Sequence, residues 1–263
     1  MMASRQRSMA AATASAFLLL LAGFAAAALP PLHSRDEDLS AGNPAYASAV
    51  IRGVDAANRA RYENVLGFTD IEHYAVFRGQ DETHPVAEMT VKVLYQKGVG
   101  KSYTTLSVAG PEIVRKFAFG QLLDNEKRIN QPGNVERSWF TSENYGMELK
   151  SARPEWVNGH PCLALSITPR RKAPNRIAGT LWVDARDFTI VQVQGMASKS
   201  PSILAGPTQM MRQYAEIDGY SMATHARAES NGFLFGRIVV TVDYRDYHLW
   251  LRAAPQTGAA PKN

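Results

Sequence analysis

Residues 179–195 constrain the fold most: Gly-Thr-Leu-Trp-Val-Asp, then Ala-Arg-Asp-Phe, then Thr-Ile-Val-Gln-Val-Gln-Gly. Leu181 and Val183 fall on one side of the first arm, with Thr180, Trp182 and Asp184 on the other. On the second arm Val191 and Val193 oppose Gln192 and Gln194. Alternation with period two on both sides of a short turn marks a β-hairpin with one buried face. Such a face needs further strands or a helix to complete a core.

The chain supplies both. Tyr74 and Val76 alternate with Ala75 and Phe77; Met89, Val91, Val93 and Tyr95 share a face; Leu106 and Val108 align, and short joints make these three strands a meander. Sheet resumes at Tyr145, Met147 and Leu149. After the Asn158-Gly159 turn it continues through Leu163, Leu165 and Ile167. Residues 213–217, 222–228 and Ile238, Val240, Val242 and Tyr244 complete about ten or eleven strands, with turns at Asp218-Gly219 and Asn231-Gly232. Asn43-Pro44 opens a helix, asparagine as cap and proline in the first turn. Tyr46, Val50, Val54 and Ala57 form its apolar stripe. A second helical stretch runs from Glu112 to about Glu126, with Ile113, Phe117 and Leu122 apolar and Gly120 interrupting it.

Strand hydrophobicity is not confined to one face. Val239 lies opposite Ile238 and Val240, and Trp182 opposite Leu181 and Val183. One face against a helix and the other on an apolar concavity explains this; a two-sheet sandwich or dimer contacts explain it too. The aromatics and methionines serve either as core or as the lining of an acyl-chain cavity, which asks for apolar area and adaptable side chains. The candidate cavity or lid residues are Phe77, Met89, Phe117, Trp139, Phe140, Trp182 and Phe233, with Met210 and Met211 as either a soft lip of the same cavity or a loop edge.

Export is written at the N-terminus. Arg5 and Arg7 precede an apolar run over 16–28 that ends in Ala26, Ala27 and Ala28, so residues 1–28 read as a signal peptide cleaved near residue 28. The run is short of the ~20 residues a membrane span prefers. Residues 29–43 form a flexible arm, 44–251 a single β domain, and 252–263 a flexible tail. The expected location is the periplasm. Cys162 is the only cysteine, so no internal disulfide forms and no lipid-anchor cysteine stands at the processing site. The formal charge of +5 falls to +3 without Arg5 and Arg7, enough for peripheral contact with anionic membranes but not for nucleic-acid binding. The densest basic group, Arg170, Arg171, Lys172 and Arg176 between Pro169 and Pro174, reads as a solvated loop.

No catalytic, cofactor or metal residue is assigned. The six histidines show no metal-ligand spacing, and no nucleophile elbow, Walker loop or dinucleotide fingerprint occurs. His225, Arg227 and Glu229 alternate onto one strand face, where a histidine beside a carboxylate could act as a base; a solvated face is the simpler reading. Asp184 and Asp187 flank a tight turn whose own hydrogen bonds account for them.

Gly179-Thr-Leu-Trp-Val-Asp, five residues, then Ile190-Val-Gln-Val, together with the export signal, the N-terminal helix, the meander and the mid-chain helical insertion, resembles the outer-membrane lipoprotein-sorting family, the LolA/LolB-like fold. The stretch Tyr214-Ala-Glu-Ile-Asp-Gly-Tyr-Ser-Met-Ala-Thr-His-Ala resembles the family's turn through Asp-Gly into the next strand. The resemblance implies a mainly β fold: a strongly curved antiparallel sheet, an incomplete barrel, with the helices covering an apolar concavity. It also implies a non-catalytic, exported carrier or binding protein for lipid or lipoprotein acyl chains, lacking an anchor and so more like a soluble carrier than an anchored receptor. The implied partner is a lipid or an acylated protein. An envelope regulatory or structural protein that binds a protein partner is the second expectation. An enzyme acting on an envelope lipid or glycan is the third.

Overall fold

The computed structural model describes residues 43–173, 175–199, 206–232 and 236–253. The export segment, residues 29–42 of the expected arm and 254–263 of the expected tail lie outside these residues. The first described element is α1 (Pro44–Asn64). The Asn43 carboxamide oxygen accepts hydrogen bonds from the Ala45 and Tyr46 amides at 2.9 and 3.4 Å, as an N-cap does.

Eleven strands follow: β1 (Val65–Arg78), β2 (Ala87–Gln96), β3 (Gly100–Ala109), β4 (Tyr145–Leu149), β5 (Glu155–Val157), β6 (His160–Pro169), β7 (Ile177–Asp184), β8 (Ile190–Ala197), β9 (Thr208–Ile217), β10 (Tyr220–Gly232) and β11 (Gly236–Leu251). Between β3 and β4 lie α2 (Glu112–Val114), a π-helical stretch (Arg115–Gly120), α3 (Gln121–Ile129) and a 3₁₀ turn (Glu136–Ser138). All strand pairs are antiparallel, in the order β3-β2-β1-β11-β10-β9-β8-β7-β6-β4, with β5 attached to β6.

This corrects the strongly curved, incomplete barrel. The sheet is open and neither closed nor strongly curved, and its edges β3 and β4 do not pair. The edges are poor partners: β4 has only five residues, and β3 is exposed from Thr104 to Ala109. Helices, not edge pairing, remove the sheet's apolar face from water.

The helices divide that face into two cores. Val50 and Val54 of α1 pack with Leu163, Leu165, Leu181, Val183 and Val193 of β6–β8. Phe119 of the π-helical stretch packs with Tyr74, Val76, Met89, Val91 and Val93 of β1–β2, with Val114, Leu122 and Leu123 at the margin. Fully burying a Leu or Val contributes roughly 1.5–3 kcal/mol, so these two clusters dominate the stability. At the 179–195 hairpin Leu181 faces Val193 across β7 and β8, both fully buried, as the alternation requires.

Candidate ligand-binding face

Residues paired across an antiparallel ladder share a face, so the registers trace rows across the sheet. One row runs Leu149, Leu165, Leu181, Val193, Arg212, Ala226, Val242, Tyr74, Met89, Val108. The neighbouring row runs Met147, Ile167, Gly179, Gly195, Met210, Ala228, Val240, Val76, Ala87. Side chains under α1 and under Phe119 are almost wholly buried. The middle positions on β9–β11 (Met210, Arg212, Ala226, Ala228, Val240 and Val242) are only half-buried. A strip of the apolar face thus lies between the two cores. Its floor is low because Ala226 and Ala228 occupy it, and Arg212 stands within it.

Arg212 forms no ion pair among the described residues. Burial opposes its charge, but Tyr244, Tyr214 and Glu126 together outweigh that and hold its pKa above the ordinary value. Tyr244 pairs with Glu72 across β11 and β1, which brings the strip to a buried polar group. There Lys101 Nζ lies 2.7 Å from Glu72 Oε1 and 3.6 Å from Glu126 Oε2. Burial opposes the lysine charge too, yet Glu72 and Glu126 hold its pKa well above the usual value. Tyr74 Oη donates a short hydrogen bond to Glu72 Oε2; burial, then the Glu72 charge, keep that phenol protonated. Asp70 is 1 % exposed, and neither carboxylate oxygen has a hydrogen-bond partner. Tyr247 lies near it, but its hydroxyl donates to the Ala223 carbonyl at 2.9 Å. Burial first, and the Glu72 charge second, push the Asp70 pKa up to about 7.

The expected cavity residues separate. Met89 lies in the core with Phe119, and Phe140 in the other core beside Tyr145, ring centroids 5.2 Å apart. Trp139 packs on Tyr62 at the end of α1, centroids 4.2 Å apart. Phe77 and Trp182 belong to the opposite face of the sheet: Phe77 pairs with Val239, and Trp182 Nε1 donates to Glu155. Phe117 lies in the π-helical stretch, and Phe233 lies outside the described residues. Met210 is on the strip, while Met211 pairs with Arg227 on the other face.

That other face accounts for the doubled hydrophobicity. Val239 is buried among Phe77 and the ion pairs of Arg227 and Arg237 with Glu82 and Glu229. His225 sits there too, its Nδ1 2.7 Å from Asp243 Oδ1, away from the strip. The hairpin-turn aspartates hold their own turn, Asp184 through Arg186 and Asp187 through the Thr189 amide and hydroxyl, and Asp184 also meets His160 of β6. Among the described residues no three His, Cys, Asp or Glu side chains gather as a metal set.

Sequence reasoning missed Arg212, because Met210-Met211-Arg212-Gln213 carries no clean alternation and β9 starts earlier than the pattern implies. The signal that was present is Ala226 and Ala228 alternating with His225, Arg227 and Glu229: small residues at period two make a low face. Arg176 was misplaced. Arg170, Arg171 and Lys172 are exposed as expected of a loop, but Arg176 is 6 % exposed and donates to the Arg171 and Arg137 carbonyls.

No protein-family model matches the chain. No curated protein matches it either. Solved structures resemble it distantly. A LolA superfamily protein from Nitrosomonas europaea is 14 % identical over 80 % of this chain and 94 % of its own, at a TM-score of 0.41. A putative outer membrane lipoprotein-sorting protein domain from Vibrio parahaemolyticus is 15 % identical over 82 % and 94 %, at 0.44. A DUF1329 family protein from Desulfovibrio piger is 14 % identical over 80 % and 95 %, at 0.39. Similarities this distant assign neither family, activity nor ligand.

Proposed function

We propose that the chain is an exported, non-catalytic binding protein that carries a lipid or lipoprotein acyl chain in the bacterial periplasm. The observation behind this reading is the half-buried strip over β9–β11, where Ala226 and Ala228 keep the sheet face low between Met210 at the margin of one core and Val240 and Val242 at the margin of the other. An extended chain laid there buries methylenes against Met210, Val240 and Val242, at about 0.8 kcal/mol each. Arg212, whose charge Tyr244, Tyr214 and Glu126 support without an ion pair among the described residues, meets an acidic or ester head at the polar end beside Tyr244. The helices on either side are anchored by Val50, Val54 and Phe119, so the strip is bordered on a rigid sheet rather than built from loops. The mature protein takes up a fluorescent fatty-acid probe with an emission shift that unlabelled fatty acid reverses. Absence of uptake contradicts the reading.

A further inference from the structure

A second cleft lies away from the strip. It encloses about 210 Å³ and is lined by Arg128, Asn134, Arg137, Ser138, Asn175 and Arg176 among others. The C-terminal end of α3, the segment leading to the 3₁₀ turn, and the loop between β6 and β7 meet there. Three guanidinium groups border the cleft, and among the described residues no carboxylate does.

The usual neutralising partners are missing. Among the described residues none of the three arginines forms an ion pair. Arg128 Nη2 donates to Asn125 Oδ1 at 2.6 Å, and Arg176 spends its Nη1 and Nη2 on the Arg171 and Arg137 carbonyls. The nearest acid in sequence, Glu136, accepts instead from Tyr62 Oη at 2.8 Å. A competing negative charge comes from the C-terminus of α3, equivalent to roughly half an electron. It is small beside three guanidiniums, and its carbonyls are already engaged: Asn134 Nδ2 donates to the Arg128 oxygen at 3.0 Å. The buried Arg176 fixes the wall, and the exposed Arg128 and Arg137 can turn their forks inward, Arg128 by giving up its bond to Asn125.

We infer that this cleft is a binding site for a phosphate-bearing ligand, met by the guanidinium groups of Arg128 and Arg137 and the carboxamides of Asn134 and Asn175. Planar guanidinium forks match phosphate oxygens in bidentate fashion, and several around one small volume favour a multiply charged oxyanion. The ligand is either a soluble phosphate ester or the headgroup of a phospholipid.

The test uses the mature protein and an Arg128→Ala/Arg137→Ala variant, both arginines being exposed and remote from the packed cores. Calorimetry with inorganic phosphate and co-sedimentation with phosphatidylcholine vesicles containing phosphatidylglycerol are run side by side. Melting temperatures confirm that the variant folds. Wild type binds at least one probe, more weakly at high salt, and the double variant loses about tenfold or more in affinity. Binding to vesicles identifies a lipid headgroup; binding to phosphate alone identifies a soluble ester. Equal behaviour of the two proteins, or no binding of either probe by wild type, overturns the inference. Fatty-acid uptake by the variant stays unchanged, so this site and the sheet-face site succeed or fail separately.

Discussion

Arg212 stands directly opposite Ala226 across β9 and β10, in a row of the sheet that is otherwise leucine, valine, tyrosine and methionine. A charge beside a missing side chain, half-buried between two closed cores, is a costly use of a sheet face unless something occupies it. Ala226→Trp and Ala228→Trp fill the strip beside Met210, Val240 and Val242, outside the fully buried residues of either core. Each variant keeps the melting temperature within a few degrees and loses fatty-acid uptake; Arg212→Ala keeps uptake of a neutral long-chain alcohol and loses about tenfold in affinity for the acid. Uptake unchanged by the tryptophans removes the strip as the site.

The Lys101–Glu72 pair, 9 % and 1 % exposed, is the most buried ion pair described. Removing one partner of such a pair leaves the other charge without compensation. Lys101→Met therefore lowers unfolding free energy in urea by about 3–5 kcal/mol, whereas the joint change Lys101→Met/Glu72→Leu recovers most of it. A single-variant loss below about 1 kcal/mol shows that water reaches Glu72.

Asp70 makes stability depend on pH with a known sign. Its folded pKa of about 7 lies above the unfolded value. The folded state therefore holds a proton that the unfolded state has released between about pH 4 and 7. Stability from this group is full below pH 4, falls across that window and is flat above it. The total is on the order of 4 kcal/mol. Asp184 and Glu82, with depressed values, act in the opposite direction at lower pH. Denaturation of wild type and Asp70→Asn at pH 5 and pH 8 checks this: the variant loses the difference. A parallel pH dependence in both proteins assigns the slope elsewhere.

Much of this architecture was legible because alternation is a local signal. Leu181 and Val183 announced their buried face, and Val50 and Val54 the helix that covers it. That the sheet stays open was not legible, since whether β3 meets β4 depends on the two edges and the segments covering the sheet, not on any one strand's pattern. The strip was hidden for a related reason. A binding face made by small residues has no apolar signature of its own, and searching for aromatics led instead to Phe77 and Trp182 on the opposite face. Arg176 looked solvated because nothing in its neighbours reveals that the carbonyls of Arg171 and Arg137 will receive it.

Gly53 of α1 and Phe188 of the β7–β8 turn fix how the helix seats. A Cβ on Gly53 would lie 2.3 Å from Phe188 Cδ2, too close for any real contact. Gly53→Ala destabilises by about 1–3 kcal/mol although alanine is the better helix former. In a Phe188→Ala background the same change becomes neutral or stabilising, by up to about 1 kcal/mol. A cost that persists without Phe188 points to another contact.

Native mass spectrometry of the mature protein purified from an envelope fraction, followed by organic extraction, tests the carrier role most directly. The account predicts a reproducible added mass that extracts as lipid and disappears in Ala226→Trp. A bare mass for the wild type, with no uptake of a fatty-acid probe, contradicts it.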